Sequence, residues 1–238
     1  MLEGVKITWL GHATFLFETA AGKKILVDPW LGGNPSCPAA FHDLRADAIL
    51  ITHGHGDHIG DVFSAAARCS GPIVGIYDLT TWLGMKGVSG AQLAGMNKGG
   101  TLHLEGLGVS VTMVDARHSS SFVDGDQIVY LGEPAGYVLG FEGGATVYVA
   151  GDTSVFGDMA LIKALYAPQV AVLPIGDRFT MDPRAAALAC ELLGVEAVIP
   201  SHWGTFGLLT GTPEALEREV RARGLSTEVW ALEAGQAR

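Results

Sequence analysis

Three imidazoles and a carboxylate fall within six residues at His53-Gly54-His55-Gly56-Asp57-His58. A divalent ion such as zinc takes about four N, O or S donors near 2 Å, and alternate residues of an extended loop can point two rings the same way. The two glycines let the backbone turn so that Asp57 and His58 face a second ion. Histidines also cluster in surface metal-trapping tracts. This cluster instead follows an apolar run of strand length and precedes a helix-like segment, which favours a built site.

The elements that must position these residues follow from apolar patterning. From Val5 to Asp28, apolar segments broken by Gly11 and by Ala21-Gly22 predict short strands joined by tight turns. Further buried strands are expected at Ala48 to Thr52, Val109 to Val114, Tyr137 to Phe141, Ala145 to Ala150, Val170 to Pro174 and Ala197 to Pro200. Glu142-Gly143-Gly144 reads as a hairpin turn, which makes the sheet mixed. Helices are expected from Asp182-Pro183 to Gly194 and from Thr212-Pro213 to Gly224, each with a capping residue, a first-turn proline and a closing glycine. Ile59 to Cys69 and Phe156 to Tyr166 are helices with weaker ends, and the glycine-rich Lys86 to Gly100 has no assignment. Several strands end directly in polar residues: His53, Gly151-Asp152, Gly176-Asp177 and Ser201-His202. Sites in α/β proteins gather where strands pass into loops, so this pattern predicts one shared site.

The six-residue cluster resembles the His-x-His-x-Asp-His signature of the metallo-β-lactamase superfamily. The similarity runs in order along nearly the whole chain, through Asp28 in Val27-Asp28-Pro29, the cluster itself, His118, Asp152 in Gly151-Asp152-Thr153, and His202 in Ser201-His202-Trp203-Gly204. It implies an α/β fold, a four-layer αβ/βα sandwich of two mixed β-sheets with helices outside, in one domain over residues 1–238. By that resemblance His53, His55 and His118 hold one ion, Asp57, His58 and His202 a second, and Asp152 bridges the two. Asp28 would orient a ligand from behind by hydrogen bonding. Trp9-Leu10-Gly11-His12-Ala13-Thr14-Phe15 and Pro200-Ser201-His202-Trp203-Gly204-Thr205-Phe206 are similar to a subgroup of small metal-dependent hydrolases. That subgroup is itself similar to ascorbate-6-phosphate lactonases and to a phospholipase D acting on N-acylated lipids.

The implied activity is hydrolysis of an ester-type bond (lactone, ester or phosphodiester) in a small molecule, by a hydroxide between two divalent metals that lower the pKa of their shared water. Zinc is the first expectation for the metal, with manganese or iron as alternatives. Asp57 is expected to orient or relay a proton and His12 to act at the reacting centre or support it. Arg178, Phe179 and Trp203 are expected to line the substrate pocket, Arg178 offering a guanidinium beside an aromatic ring. Ser119-Ser120-Ser121 lacks the setting of a hydroxyl nucleophile and is read as shaping its loop.

Rival chemistries lack their residues. A two-metal lactamase with a cysteine ligand would need that cysteine between Asp152 and His202, where only Cys190 lies, inside an expected helix. An oxygen-reducing iron relative would carry a carboxylate at position 55. The formal net charge of -10, with 17% charged residues, disfavours nucleic acid and anionic membrane, and leaves no place for the basic insert of a nuclease. A metal-binding scaffold without turnover would be expected to have lost ligands, yet all seven positions are filled. No run approaches the roughly 20 apolar residues of a membrane-spanning helix, and the start shows no leader pattern. Three unpaired cysteines, Cys37, Cys69 and Cys190, suit a reducing compartment. A soluble cytoplasmic protein is therefore expected, its self-association left open.

Overall fold

Residues Tyr137-Val138-Leu139 and Val170 to Leu173 are apolar without a break, and a strand of that kind must be covered on both faces. The computed structural model, which describes Leu2 and residues 4–238, supplies both covers. Tyr137, Leu139, Val170 and Val172 join the larger buried cluster. Val138, Ala171 and Leu173 join a second cluster on the opposite face. The period of two in strand side chains is what divides them.

The first sheet runs in spatial order β1 (Val5–Trp9), β2 (Phe15–Thr19), β3 (Lys24–Val27), β4 (Ala48–Leu50), β5 (Ile73–Ile76) and β6 (Leu93–Met96). It is antiparallel up to β3 and parallel beyond. Its helices are α1 (Gly56–Ile59), α2 (Val62–Arg68) and α3 (Tyr77–Met85). The chain continues through β7 (Thr101–Leu104) and β8 (Val109–Asp115) to a separate hairpin, β9 (Ser121–Asp124) and β10 (Gln127–Tyr130). There follow β11 (Ala135–Phe141), β12 (Thr146–Val149), α4 (Met159–Tyr166), β13 (Val170–Pro174), α5 (Pro183–Leu193), β14 (Ala197–Ser201), α6 (Pro213–Ala222) and β15 (Glu228–Val229). The second sheet has the order β15-β14-β13-β12-β11-β8-β7, parallel from β12 to β15 and antiparallel elsewhere.

Between the sheets, Phe17, Ile25 and Ile49 of the first pack with Met113, Tyr137 and Val147 of the second. Phe17 and Phe141 stack across the gap with centroids 6.1 Å apart. Outside the second sheet, Met159 and Ile162 of α4, Ala186 and Cys190 of α5 and Leu216 of α6 cover Tyr148 and Ala171. The layers are therefore αβ/βα, as expected, with both sheets mixed. The C-terminal segment closes the open edge of β1, since Ile7 and Arg238 exchange two backbone hydrogen bonds of 2.9 Å. No helix among the described residues is long and apolar enough to cross a membrane.

The capped helices form where capping predicts them. Asp182 accepts from Ala185 N at 2.7 Å and Thr212 from Ala215 N at 3.2 Å. The structure changes one expectation and adds two elements. The helix expected over Ile59 to Cys69 is split into α1 and α2 at Gly60-Asp61, because the Asp61 carboxylate accepts from Leu31 N and Gly33 N and draws the chain toward that loop. The unassigned Lys86 to Gly100 contains β6, an edge strand paired in parallel with β5. The second added element is α3, which has no side-chain cap and carries two β-branched threonines. Burial of Leu79, Trp82 and Leu83 stabilises that helix, and local propensity does not announce it.

Tyr137 Oη donates 2.7 Å to the Ile51 carbonyl, a buried tie between the sheets just before the histidine cluster. Tyr137→Phe leaves that carbonyl without its partner and should cost about 1–3 kcal/mol, read as a lowered midpoint in denaturant melts at unchanged slope.

Candidate metal centre

The polar residues picked out by the sequence leave the ends of five strands. Asp28 follows β3, His53 and His55 follow β4, His118 follows β8, Asp152 follows β12 and His202 follows β14. The two sheets are joined at this end, where Ala135 N donates to Thr52 O at 2.9 Å. The rigid sheets thus aim five loops at one point.

Their donor atoms form three overlapping groups, each within 4.8 Å: His53, His55 and His118; His12, Asp57, His58 and His202; and His53, His58 and Asp152. Asp152 Oδ2 is central, 3.1 Å from His202 Nε2, 3.4 Å from His58 Nε2, 3.5 Å from His118 Nε2 and 4.0 Å from His53 Nε2. Donors about 2 Å from a common ion lie roughly 3–4 Å apart, so the spacing fits divalent metals. Orphaned atoms point the same way, because His58 Nε2 and Asp152 Oδ1 are buried without a hydrogen-bond partner.

Asp28 stands behind this cluster and is itself buried. Its Oδ2 lies 2.8 Å from His58 Nδ1, and it accepts from Thr52 N at 2.8 Å and Thr52 Oγ1 at 2.7 Å. That contact leaves His58 Nε2 as the outward donor. Thr52 Oγ1 also lies 3.0 Å from His53 Nδ1. Gly54 serves a different purpose from the turn expected of it. Its φ is not positive, and a Cβ there would come within 2.7 Å of the Leu131 side chain, so the glycine provides room. Gly56 begins α1. Gly151, at φ 61°, does make a left-handed turn just before Asp152.

Electrostatics follow from packing so many titrating groups together. Burial pushes His53, His55 and His118 below the ordinary histidine range. Burial also takes His12 down to about 4, against the hydrogen bond it makes to the Asp57 carboxylate. At His58 and His202 burial is overcome by the Asp152 carboxylate, which holds His58 well above its usual range and raises His202 to about 9. Burial would raise both aspartates. At Asp57 hydrogen bonds with His12 and His202 outweigh it, and at Asp152 the charges on His202 and His58 do, so both carboxyls are held well below the carboxylate range.

The remaining sequence-chosen residues are dispersed. His12 is completely buried, with Nε2 3.0 Å from Asp57 Oδ2. Trp203 stacks on Trp9, ring centroids 5.2 Å apart, and is half-buried. Arg178 and Phe179 stand exposed on the loop after β13, between the strands that lead to Asp152 and His202. Both Asp177 oxygens are engaged, Oδ1 by Arg178 N and Oδ2 by Thr210 Oγ1, and the Arg178 guanidinium makes no ion pair among the described residues. It lies 5.5 Å from the centroid of the Phe179 ring. Sequence reasoning missed Thr52, Trp30 and Phe206, the last two 6.0 Å apart beside His12. It also missed a cavity of about 620 Å³ beside His118, lined by Lys98, Arg117, Ser119, Tyr130 and Glu133. Only the position of Thr52, at a strand end before His53, could have signalled it. Ser120 Oγ accepts from Gly54 N at 3.1 Å, which is a loop-shaping contact.

Comparison with known proteins places this geometry. The profile of a family described as a beta-lactamase superfamily domain matches residues 23–203. A UPF0173 metal-dependent hydrolase of Koribacter versatilis is 53% identical, over 92% of this chain and 93% of its own. Among solved structures, Igni18, a metallo hydrolase of the archaeon Ignicoccus hospitalis, superposes with a TM-score of 0.85 at 35% identity, covering 98% of this chain and 97% of its own. An isothiocyanate hydrolase from Delia radicum gut bacteria shares the fold at TM-score 0.74 and 22% identity, covering 98% of each chain.

Metal-stripped protein should respond to alkaline pH. His58 and His202 have raised folded-state values, so the stability they contribute is fully present below about 6.5 and is lost as pH rises through about 9 for His202. Thermal midpoints of the stripped protein should fall across that window, and added divalent metal should flatten the fall. A midpoint independent of pH there would show that these histidines are not paired with Asp152.

Proposed function

This chain belongs to the beta-lactamase superfamily, among its metal-dependent hydrolases, and from that premise we propose that it hydrolyses an ester-type bond (lactone, ester or phosphodiester) in a small molecule with two divalent ions. The observation that carries the two-ion reading is the position of Asp152 Oδ2, within 4.0 Å of histidines from both donor groups. A carboxylate has lone pairs enough for two ions, and its charge offsets their mutual repulsion. His53, His55 and His118 would hold one ion, Asp57, His58 and His202 the other, zinc being the first choice of metal, with manganese or iron next. When bound, such ions lower the pKa of water toward neutrality and polarise a carbonyl or phosphoryl oxygen.

The chain's own residues do the rest. Asp57, held ionised by its histidine neighbours, is suited to accepting hydrogen bonds and orienting groups rather than to storing a proton. Asp28 and Thr52 fix the rings of His58 and His53 from behind. The cavity beside His118 offers room for the body of a small substrate. Arg178, with its guanidinium free of any carboxylate among the described residues, supplies a cation for an anionic or planar group, and Phe179 a flat surface beside it.

Fully loaded protein should contain about two ions per chain by elemental analysis. Asp152→Ala should lower occupancy of both sites, whereas His202→Ala should empty mainly one; a single ion with no second uptake would overturn the binuclear reading. Turnover should appear in a screen of phosphodiesters, lactones and thioesters and vanish on metal stripping. On the substrate so found, Arg178→Ala should lower kcat/KM roughly 10- to 100-fold with both ions retained, as losing a charged hydrogen bond implies. Unchanged kinetics would return Arg178 to an ordinary surface role.

A further inference from the structure

The two segments Trp9-Leu10-Gly11-His12 and His202-Trp203-Gly204-Thr205-Phe206 lie at opposite ends of the sequence and meet in the fold. Trp9 stacks on Trp203. His202 N and Trp9 Nε1 both donate to the His12 carbonyl at 2.9 Å. The His12 ring is enclosed, edge-on to Trp30 and Phe206, and both its nitrogens are engaged. Nδ1 lies 2.9 Å from Thr205 Oγ1, closer than that hydroxyl's other acceptor, the Trp203 carbonyl at 3.4 Å, and Nε2 lies 3.0 Å from Asp57 Oδ2.

A neutral imidazole donates from one nitrogen and accepts at the other. An ionised carboxylate can only accept, whereas a threonine hydroxyl can do either. One tautomer alone satisfies both contacts: Nε2–H donates to Asp57, and Nδ1 accepts the Thr205 hydroxyl proton. The other would set a ring lone pair against a carboxylate lone pair at a fully buried ring, where an unmade hydrogen bond is costly. The partner of the far nitrogen therefore decides which nitrogen carries the proton.

We propose that Thr205 and His12 are a positioning pair for Asp57: the Thr205 hydroxyl fixes His12 in its Nε2–H form, and His12 fixes the carboxylate that Asp57 presents to His58 and His202. This rests on the reading of Asp57 as part of the metal centre. It also explains why the two segments occur together, since neither alone holds Asp57. Neither residue is a metal ligand in this arrangement. A His12 that bound the ion itself through Nε2 would need the proton on Nδ1, donated to Thr205.

Nuclear magnetic resonance of protein labelled with ¹⁵N-histidine separates these cases, the His12 signals being identified by their loss in His12→Gln. The expected result, in metal-free and zinc-loaded protein alike, is a protonated Nε2 and a bare Nδ1. A proton on Nδ1 in the zinc-loaded protein overturns the pair. In zinc titrations against a competing chelator, Thr205→Val should weaken the second ion roughly 10- to 100-fold, the range of lost supporting contacts. The first ion should be unaffected, and Thr205→Ser should restore wild-type affinity. Equal affinity in the valine and wild-type proteins overturns the proposal, as does failure of serine to rescue. A wild-type protein that takes only one ion defeats the binuclear reading instead, and the metal-free tautomer then still decides the pair. Should Thr205→Val fail to fold, the wild-type tautomer carries the decision.

Discussion

A carboxylate as enclosed as that of Asp152, its side chain 3% exposed, is expensive to remove from water unless positive charge or hydrogen bonds meet it. Four imidazoles converge on its Oδ2, and they come from loops after three other strands. β4 belongs to the first sheet and β8 and β14 to the second, so these loops meet because the two sheets are packed face to face and tied where Ala135 N meets Thr52 O. The sandwich is in this sense the device that makes a buried acid tolerable, and a cation held among the histidines would complete the compensation.

The same requirement reaches a layer further out. His58 can turn Nε2 toward Asp152 only while Nδ1 is held, and Asp28 holds it. Asp28 is in turn buried and is held by both the amide and the hydroxyl of Thr52. Thr52 therefore joins the supports of two imidazoles of the cluster, His58 through Asp28 and His53 through its own hydroxyl. On the other flank, Gly54 gives up a side chain so that Leu131 can pack against the loop, and Ser120 takes the Gly54 amide. The loop after β8 thus braces the loop after β4, which ties the position of His118 to that of His53 and His55.

The sequence made the donors legible because metal chemistry restricts residue type, and because apolar runs ending in His53, Asp152 and His202 mark strand ends. The helices α5 and α6 were legible for a similar reason, since Asp182, Thr212 and the prolines after them carry local signals. What stayed hidden depends on tertiary packing. The helix α3 is held by Leu79, Trp82 and Leu83 against β5 and β6, and no local pattern marks it. The partners of His12 lie at residues 57 and 205, and only the fold brings them within hydrogen-bond reach. The loop Gly176 to Asp182 was legible as a strand-end loop, but the commitment of both Asp177 oxygens to Arg178 N and Thr210, which frees the Arg178 guanidinium, is a tertiary fact.

Backbone conformation carries a last trace of function. Among the described residues, six non-glycine positions have positive φ, and three of them, His12 at 54°, Asp28 at 49° and His202 at 55°, belong to the centre or its support. Left-handed backbone costs a residue with a side chain on the order of 1–3 kcal/mol, and glycine would remove the cost at each position. Glycine would also remove the imidazole or carboxylate that the position exists to present. Asp28 and His202 follow directly on a strand and His12 comes three residues after β1, where the chain must turn sharply to aim a side chain back over the sheet edge. Retaining His or Asp there means that the surrounding contacts over-determine the turn, as the His202 N to His12 O hydrogen bond does for two of the three at once. The strain therefore falls where ligand direction matters, and tolerance of it comes from the packed sheets beneath.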